Sequence, residues 1–287
     1  MTSPDRNEFS DYVSNSTNIA LTEDVGPGDL TAELVPAGQQ TEARVVAREA
    51  CTLCGQPWFD EVFLQLDKSI MIDWHLEESD RAAADQIICT INGSARSILT
   101  GERTALNFLQ LLSATATNAH AYVEAISGTK ATILDTRKTI PGLRLAQKYA
   151  VQIGGAQNHR IGLFDAILIK ENHIASGGGI SKTLKTALEL SENILVEIEV
   201  ETLDETREAL KAGAHRVLLD NFSTDGLAAA VRFRDEIAPD ITLEASGGIT
   251  LDNVRAIAAT GVDYISIGAL TKDVKAVDLS MQFEWQK

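Results

Sequence analysis

Two short strings hold most of the cationic chemistry of this chain. They are Asp135-Thr-Arg-Lys-Thr and Gly154-Gly-Ala-Gln-Asn-His-Arg, with Lys170 following soon after. Arg137, Lys138, His159, Arg160 and Lys170 read together as an anion trap. A guanidinium grips a carboxylate or phosphate through a two-pronged fork, and a lysine adds a point charge. Two carboxylates, Glu199 and Asp220, each lie at the end of an apolar run. Carboxylates beside cations suit Mg²⁺ held jointly with a phosphate ligand. Glu197, Glu199 and Glu201 share one face by period-two spacing, so at least one is expected to serve only a structural ion pair. Two glycine turns, Ser246-Gly247-Gly248 and Ile267-Gly268-Ala269, would let backbone N–H groups approach a phosphate closely.

The rest of the composition sharpens this reading. The 287 residues carry 25 Lys and Arg against 41 Asp and Glu, a net charge of −16. That balance argues against a nucleic-acid or anionic-membrane surface, so an anionic ligand needs a local basic cluster. No apolar run approaches the roughly 18 residues of a membrane span. The first residues lack the pattern of a secretory signal, and three cysteines cannot build a disulfide framework. A cytoplasmic protein is the expectation. Cys51 and Cys54 have the gap of half a zinc site, but only Cys89 remains to help, so all three are expected to be small buried residues. There is no serine-nucleophile elbow, no Walker A loop and no dinucleotide fingerprint. His75 and His120 read as structural.

The elements that must position these residues show two textures. Between Thr41 and Ser97, strand-like runs at Ala43–Arg48, Ile70–Leu76 and Gln86–Ile91 surround a helix over Trp58–Leu66. This is an α+β unit. Thr100 reads as the N-cap of a long bridging helix from Gly101 to about Ile126. From Ala131, apolar runs recur at spacings of roughly 20–35 residues, the rhythm of βα units feeding a parallel sheet. They cover Ala131–Asp135, Ala166–Lys170, Ile194–Val200, Arg216–Asp220, Ile241–Ser246 and Tyr264–Gly268. Six units are too few for a closed eight-fold barrel, so the fold class is α/β with an incomplete, open barrel. Active residues of such barrels project from the C-terminal strand ends, where the charged and glycine-rich positions fall. The first dozen residues are expected to be loose, and the segment after Thr271 to fold back on the N-terminal part.

Read as strings, these positions resemble a known family. Gly101-Glu-Arg-Thr-Ala-Leu-Asn, Asp135-Thr-Arg-Lys-Thr-Ile-Pro-Gly-Leu-Arg, Asn158-His-Arg, Lys170-Glu-Asn-His-Ile, Leu219-Asp-Asn and Ser246-Gly-Gly-Ile are similar to quinolinate phosphoribosyltransferases. The resemblance runs from about Leu21 to Leu279, with departures at Ala156, Glu171 and Lys272. It implies an N-terminal α/β sandwich (residues 1–112, with the bridging helix), an open barrel (113–272) and a returning tail (273–287). It implies that quinolinate and phosphoribosyl pyrophosphate react in a Mg²⁺-dependent homodimer, with sites at the subunit interface. By that resemblance Arg137, His159, Arg160 and Lys170 hold the two carboxylates of quinolinate, and Arg103 reaches the same pocket from the partner subunit. Thr136 and Lys138 contact substrate, Glu199 and Asp220 lie by the ribose hydroxyls and Mg²⁺, and the two glycine turns meet the 5′-phosphate. Two other readings compete: a transferase-like protein of the molybdenum-transport type, and a phosphosugar lyase or aldolase using Lys170 as a Schiff-base nucleophile.

Overall fold

The computed structural model describes residues 6–190 and 193–284. The chain forms two compact units. The barrel unit consists of Ala119–Thr139 and Gly155–Lys272; the N-terminal unit runs to Asn118 and also takes in Ile140–Gly154 and the chain from Asp273.

In the N-terminal unit, four antiparallel strands lie in the order Leu279–Glu284, Gln40–Ala47, Ile87–Ser94, Met71–Trp74. The segment after Thr271 thus returns to this sheet, with Leu279 opposite Ala47. Helix Gln56–Leu66 repeats large apolar residues at positions that share one face, and it buries Trp58, Phe59, Val62 and Phe63. Gly101 lets the long helix come close: a Cβ there would stand 2.7 Å from the Phe63 ring. Two expectations are corrected. Residues Arg6–Val25 are helical, not loose, while residues 1–5 lie outside the described residues. Phe9 and Tyr12 set their rings against Trp58 at 5.6 and 6.3 Å, a contact that an apolar count of this polar segment does not reveal. The long helix spans Ala95–Ala125, so Thr100 is interior. The strand ending at Ser94 runs straight into the helix, and Thr100 Oγ1 donates to Asp29 Oδ2 at 2.9 Å instead of capping.

The barrel unit has six parallel strands, Thr132–Leu134, Ala166–Ile169, Leu195–Val200, Arg216–Asp220, Thr242–Ser246 and Tyr264–Ser266. Numbered along the chain, they lie in the order first, sixth, fifth, fourth, third, second. The first and second strands are therefore the two ends, and the barrel is open between them. Beyond the first strand the sheet gains one bridge, Leu134 with Gln157. Strand-to-helix turns are capped immediately past the carboxylates. Thr202 and Glu205 exchange side-chain and backbone bonds to start helix Leu203–Lys211, and Ser223 Oγ accepts the Gly226 N–H at the start of Thr224–Ile237. These caps end strands three and four at fixed points, which holds Glu199 and Asp220 at the mouth. Cys51, Cys54 and Cys89 are buried free thiols, as expected.

Candidate active site

At the C-terminal ends of the barrel strands lies a cavity of about 330 Å³. Thr136, Arg137 and Lys138 enter it from the loop past the first strand, His159 and Arg160 from the loop after Gln157, Lys170 from just past the second strand, and Glu199 and Ser246 from the ends of the third and fifth. Eight of the positions expected from sequence are thus brought together. The others lie elsewhere. Asp220 is at the fourth strand's end, close enough for its carboxyl to feel Glu199, Lys170 and Lys138. Gly247 and Gly248 follow Ser246 with φ of 95° and 60°, a left-handed turn that suits glycine. Gly268 faces Lys138, since a Cβ there would stand 3.1 Å from Lys138 Cδ. The Ile267 N–H donates to Leu134 O at 2.9 Å, joining the sixth strand to the first, and Ala269 opens the short helix Ala269–Lys272. Arg103 lies in the N-terminal unit on the long helix, exposed, 4.0 Å from Glu102.

The loop bearing His159 and Arg160 is held by acids that the sequence reading did not single out. Buried Asp135 accepts the His159 N–H at 2.8 Å. Asp165 accepts the N–H groups of Ile161 and Gly162 at 2.7 and 2.9 Å. Gln157 exchanges backbone bonds with the first strand, accepting from Asp135 at 3.1 Å and donating to Ile133 at 2.9 Å. The Asp135 carboxylate thus secures a loop more than twenty residues away, and only tertiary structure reveals that partner.

Charge is unevenly distributed over the pocket. Burial, then the like charge of Arg137, pulls the Arg160 guanidinium below its ordinary range. Lys170 Nζ lies 2.5 Å from Glu199 Oε2. Burial, then Glu199, pushes the Asp220 carboxyl up, against the pull of Lys170 and Lys138.

The floor of the pocket, reached by His159 and Glu244, holds a second, buried group that the strand-end reading missed. His159 Nε2 stands 2.9 Å from Glu197 Oε2 and 3.5 Å from Glu244 Oε2, while its Nδ1 accepts the Arg160 N–H at 2.7 Å. The ring proton therefore belongs on Nε2, facing the two acids. One donor atom from each of His159, Glu197 and Glu244 lies within 4.8 Å of the others, a metal-like spacing. Arg216 already supplies positive charge there, 3.2 Å from Glu244 and stacked 3.8 Å over Tyr264. Glu197 is thus the structural member of its triplet, Glu199 lines the pocket, and Glu201 is exposed past the strand end.

Burial, then the Glu197 charge, pushes the Glu244 carboxyl from its ordinary 4.5 up to about 8, opposed by His159, Ser266 and Arg216. An acid that holds its proton more tightly when folded stabilises the fold fully below about pH 4.5. It loses that contribution as pH rises through about 8. Wild-type protein should therefore lose stability between pH 5 and 9, by on the order of a few kcal/mol from this group. Glu244→Gln should flatten that loss. Melting temperatures that run parallel for both proteins across the range would disprove the raised pKa of Glu244.

The fold and the pocket define a class: an open α/β-barrel protein with cations gathered at its strand mouths. The chain matches the quinolinate phosphoribosyl transferase N-terminal domain over residues 29–113 and the C-terminal domain over residues 115–282. A probable nicotinate-nucleotide pyrophosphorylase (carboxylating) of Bacillus subtilis is 41% identical over 266 residues, 92% of this chain and 91% of that one. The nicotinate-nucleotide pyrophosphorylase (carboxylating) of Mycobacterium leprae is 40% identical over 278 residues, covering 94% and 97%. Among solved structures, the nicotinate-nucleotide pyrophosphorylase from Francisella tularensis superposes with a TM-score of 0.92 at 49% identity, covering 96% of this chain and 97% of its own. This chain belongs to the quinolinate phosphoribosyltransferase family.

Proposed function

We propose that the chain transfers the phosphoribosyl group of phosphoribosyl pyrophosphate to the ring nitrogen of quinolinate, releasing pyrophosphate and CO₂ and leaving nicotinate mononucleotide, a step of NAD biosynthesis. One observation carries the reading: Arg137 and Arg160 bring two like charges to one pocket that also receives Lys138 and Lys170. That crowding is relieved by a ligand with two adjacent carboxylates, gripped by the arginine forks and Lys170. His159, its Nδ1 committed to the Arg160 N–H, supports that fork from below.

As pyrophosphate leaves, positive charge develops at C1 of the ribose, where Glu199 and Asp220 stabilise it. The ring nitrogen forms its bond to C1. Once quaternised, the ring withdraws electrons, so the carboxylate next to nitrogen departs as CO₂, its electron pair stays on the ring carbon, and a proton takes its place. No dedicated base is needed for that loss. Ser246, Gly247 and Gly248, with Gly268 and Ala269 opposite, receive the 5′-phosphate. The names of the relatives favour transfer over an aldolase or a molybdenum-transport role.

Mg²⁺ fits the acids of this mouth. Glu199 and Asp220 are oxygen donors whose mutual repulsion a divalent cation would relieve. When bound, the ion would neutralise the departing pyrophosphate. The protein is proposed to act as a cytoplasmic homodimer, with Arg103 supplied by the neighbouring subunit; no described helix is long and apolar enough to cross a membrane.

The test is incubation with phosphoribosyl pyrophosphate and Mg²⁺ plus quinolinate, nicotinate or neither, with product masses read out. Nicotinate mononucleotide should form from quinolinate alone, and equal product from nicotinate would refute the substrate assignment. EDTA should stop the reaction and added Mg²⁺ restore it. Full turnover in metal-free buffer would remove the metal from the mechanism.

A further inference from the structure

Asp220 and the Ser246-Gly247-Gly248 turn end neighbouring strands, paired in register as Asp220 with Ser246. Asn221 joins them. Its φ is 57°, in the left-handed region that most side chains avoid and asparagine tolerates. From there its backbone N–H donates to Ser246 O at 2.9 Å, and its side-chain Nδ2 donates to Asp220 Oδ2 at 2.7 Å. Its Oδ1 lies so close over Gly247, itself at φ 95°, that a Cβ at position 247 would collide with it. An exposed residue held in this conformation adds nothing to the core. Strain of this kind persists where the surrounding contacts demand it, and it concentrates at sites that use it.

We infer that Asn221 is a positioning residue for phosphoribosyl transfer, locking the Asp220 carboxylate in one rotamer and tying it to the Gly247-Gly248 turn. The group that faces the ribose and the turn that faces its phosphate are then held as one piece. This rests on the reading that Asp220 and the turn meet the phosphoribosyl donor. The amide is the essential part. An aspartate at 221 would tolerate the same backbone but would place a second negative charge against Asp220, which already feels Glu199. Glycine would accept the backbone with less strain and supply no donor. The quinolinate clamp on Arg137, Arg160 and Lys170 draws on neither contact.

The experiment compares Asn221→Gly and Asn221→Asp with wild type. Asn221→Gly should melt at or above the wild-type temperature and bind quinolinate normally by calorimetry. Its kcat/KM for phosphoribosyl pyrophosphate should still fall, by roughly ten- to a hundredfold. Asn221→Asp should fall at least as far. In an Asp220→Ala background, Asn221→Gly should add little, because the side chain it positions is gone. A full additional loss in that background would overturn the inference, as would wild-type kcat/KM in Asn221→Gly. So would a lowered melting temperature with weakened quinolinate binding, which marks a structural role. A wild-type protein that makes no product removes the functional reading beneath the inference, whereas active wild type with unaffected variants removes the inference alone.

Discussion

Arg103→Ala and Lys170→Ala proteins should each be nearly inactive alone, and co-refolding the two should restore up to about a quarter of wild-type activity if half of the dimers are mixed and each has one good site of two. The pocket is built wholly from barrel-unit residues, whereas Arg103 belongs to the N-terminal unit. Its side chain is 58% exposed, and its pairing with Glu102, at 4.0 Å, is at the limit of an ion pair. In the proposed homodimer, such a cation on an acidic protein would be available to a ligand held by the other subunit. Without it a substrate carboxylate would be left short of a partner, a loss of roughly 1–3 kcal/mol or more. A mixed dimer assembles one site from two intact contributions and one from two damaged ones, so partial recovery is specific to supply in trans. No recovery, with heterodimers shown to form, would mean that Arg103 acts within its own chain or not at all.

Removing the fork at Arg137 should have an effect at least as large. Arg137→Ala should lower kcat/KM for quinolinate by roughly 2–4 kcal/mol, about 30- to 1,000-fold, with unchanged circular dichroism. Arg137 and Arg160 carry like charges into one pocket, so an anionic ligand gains from both and each is costly to lose. Arg137→Lys keeps the charge without the planar fork and should recover only part of the rate. A folded Arg137→Ala protein with near-normal kcat/KM would show that this pocket does not hold the acid.

The six-strand rhythm, the open barrel and the cations, carboxylates and glycines at the strand ends are all written locally in the chain. These follow from local rules: apolar runs of strand length, helical stretches between them, and polar residues where a buried strand stops. Helix Arg6–Val25 was not legible because its buried face mixes Val13, Thr17 and Leu21, and its aromatic contacts lie with Trp58, some forty-five residues away. The true start of the long helix was hidden because Ser94 is both the end of a strand and the step into the helix. Within the site, alternation puts Glu197, Glu199 and Glu201 on one face, and which of them meets the pocket depends on the depth of each in the folded barrel and on the strand ending at Val200. Folding also placed Glu244 and Arg216 under His159, joined Asp135 to the His159 loop, and set Asn221 over Gly247. Each of these is a pairing between residues 24 to 85 positions apart in sequence. Local propensity carries no record of such partners, because they meet only when parallel strands settle side by side.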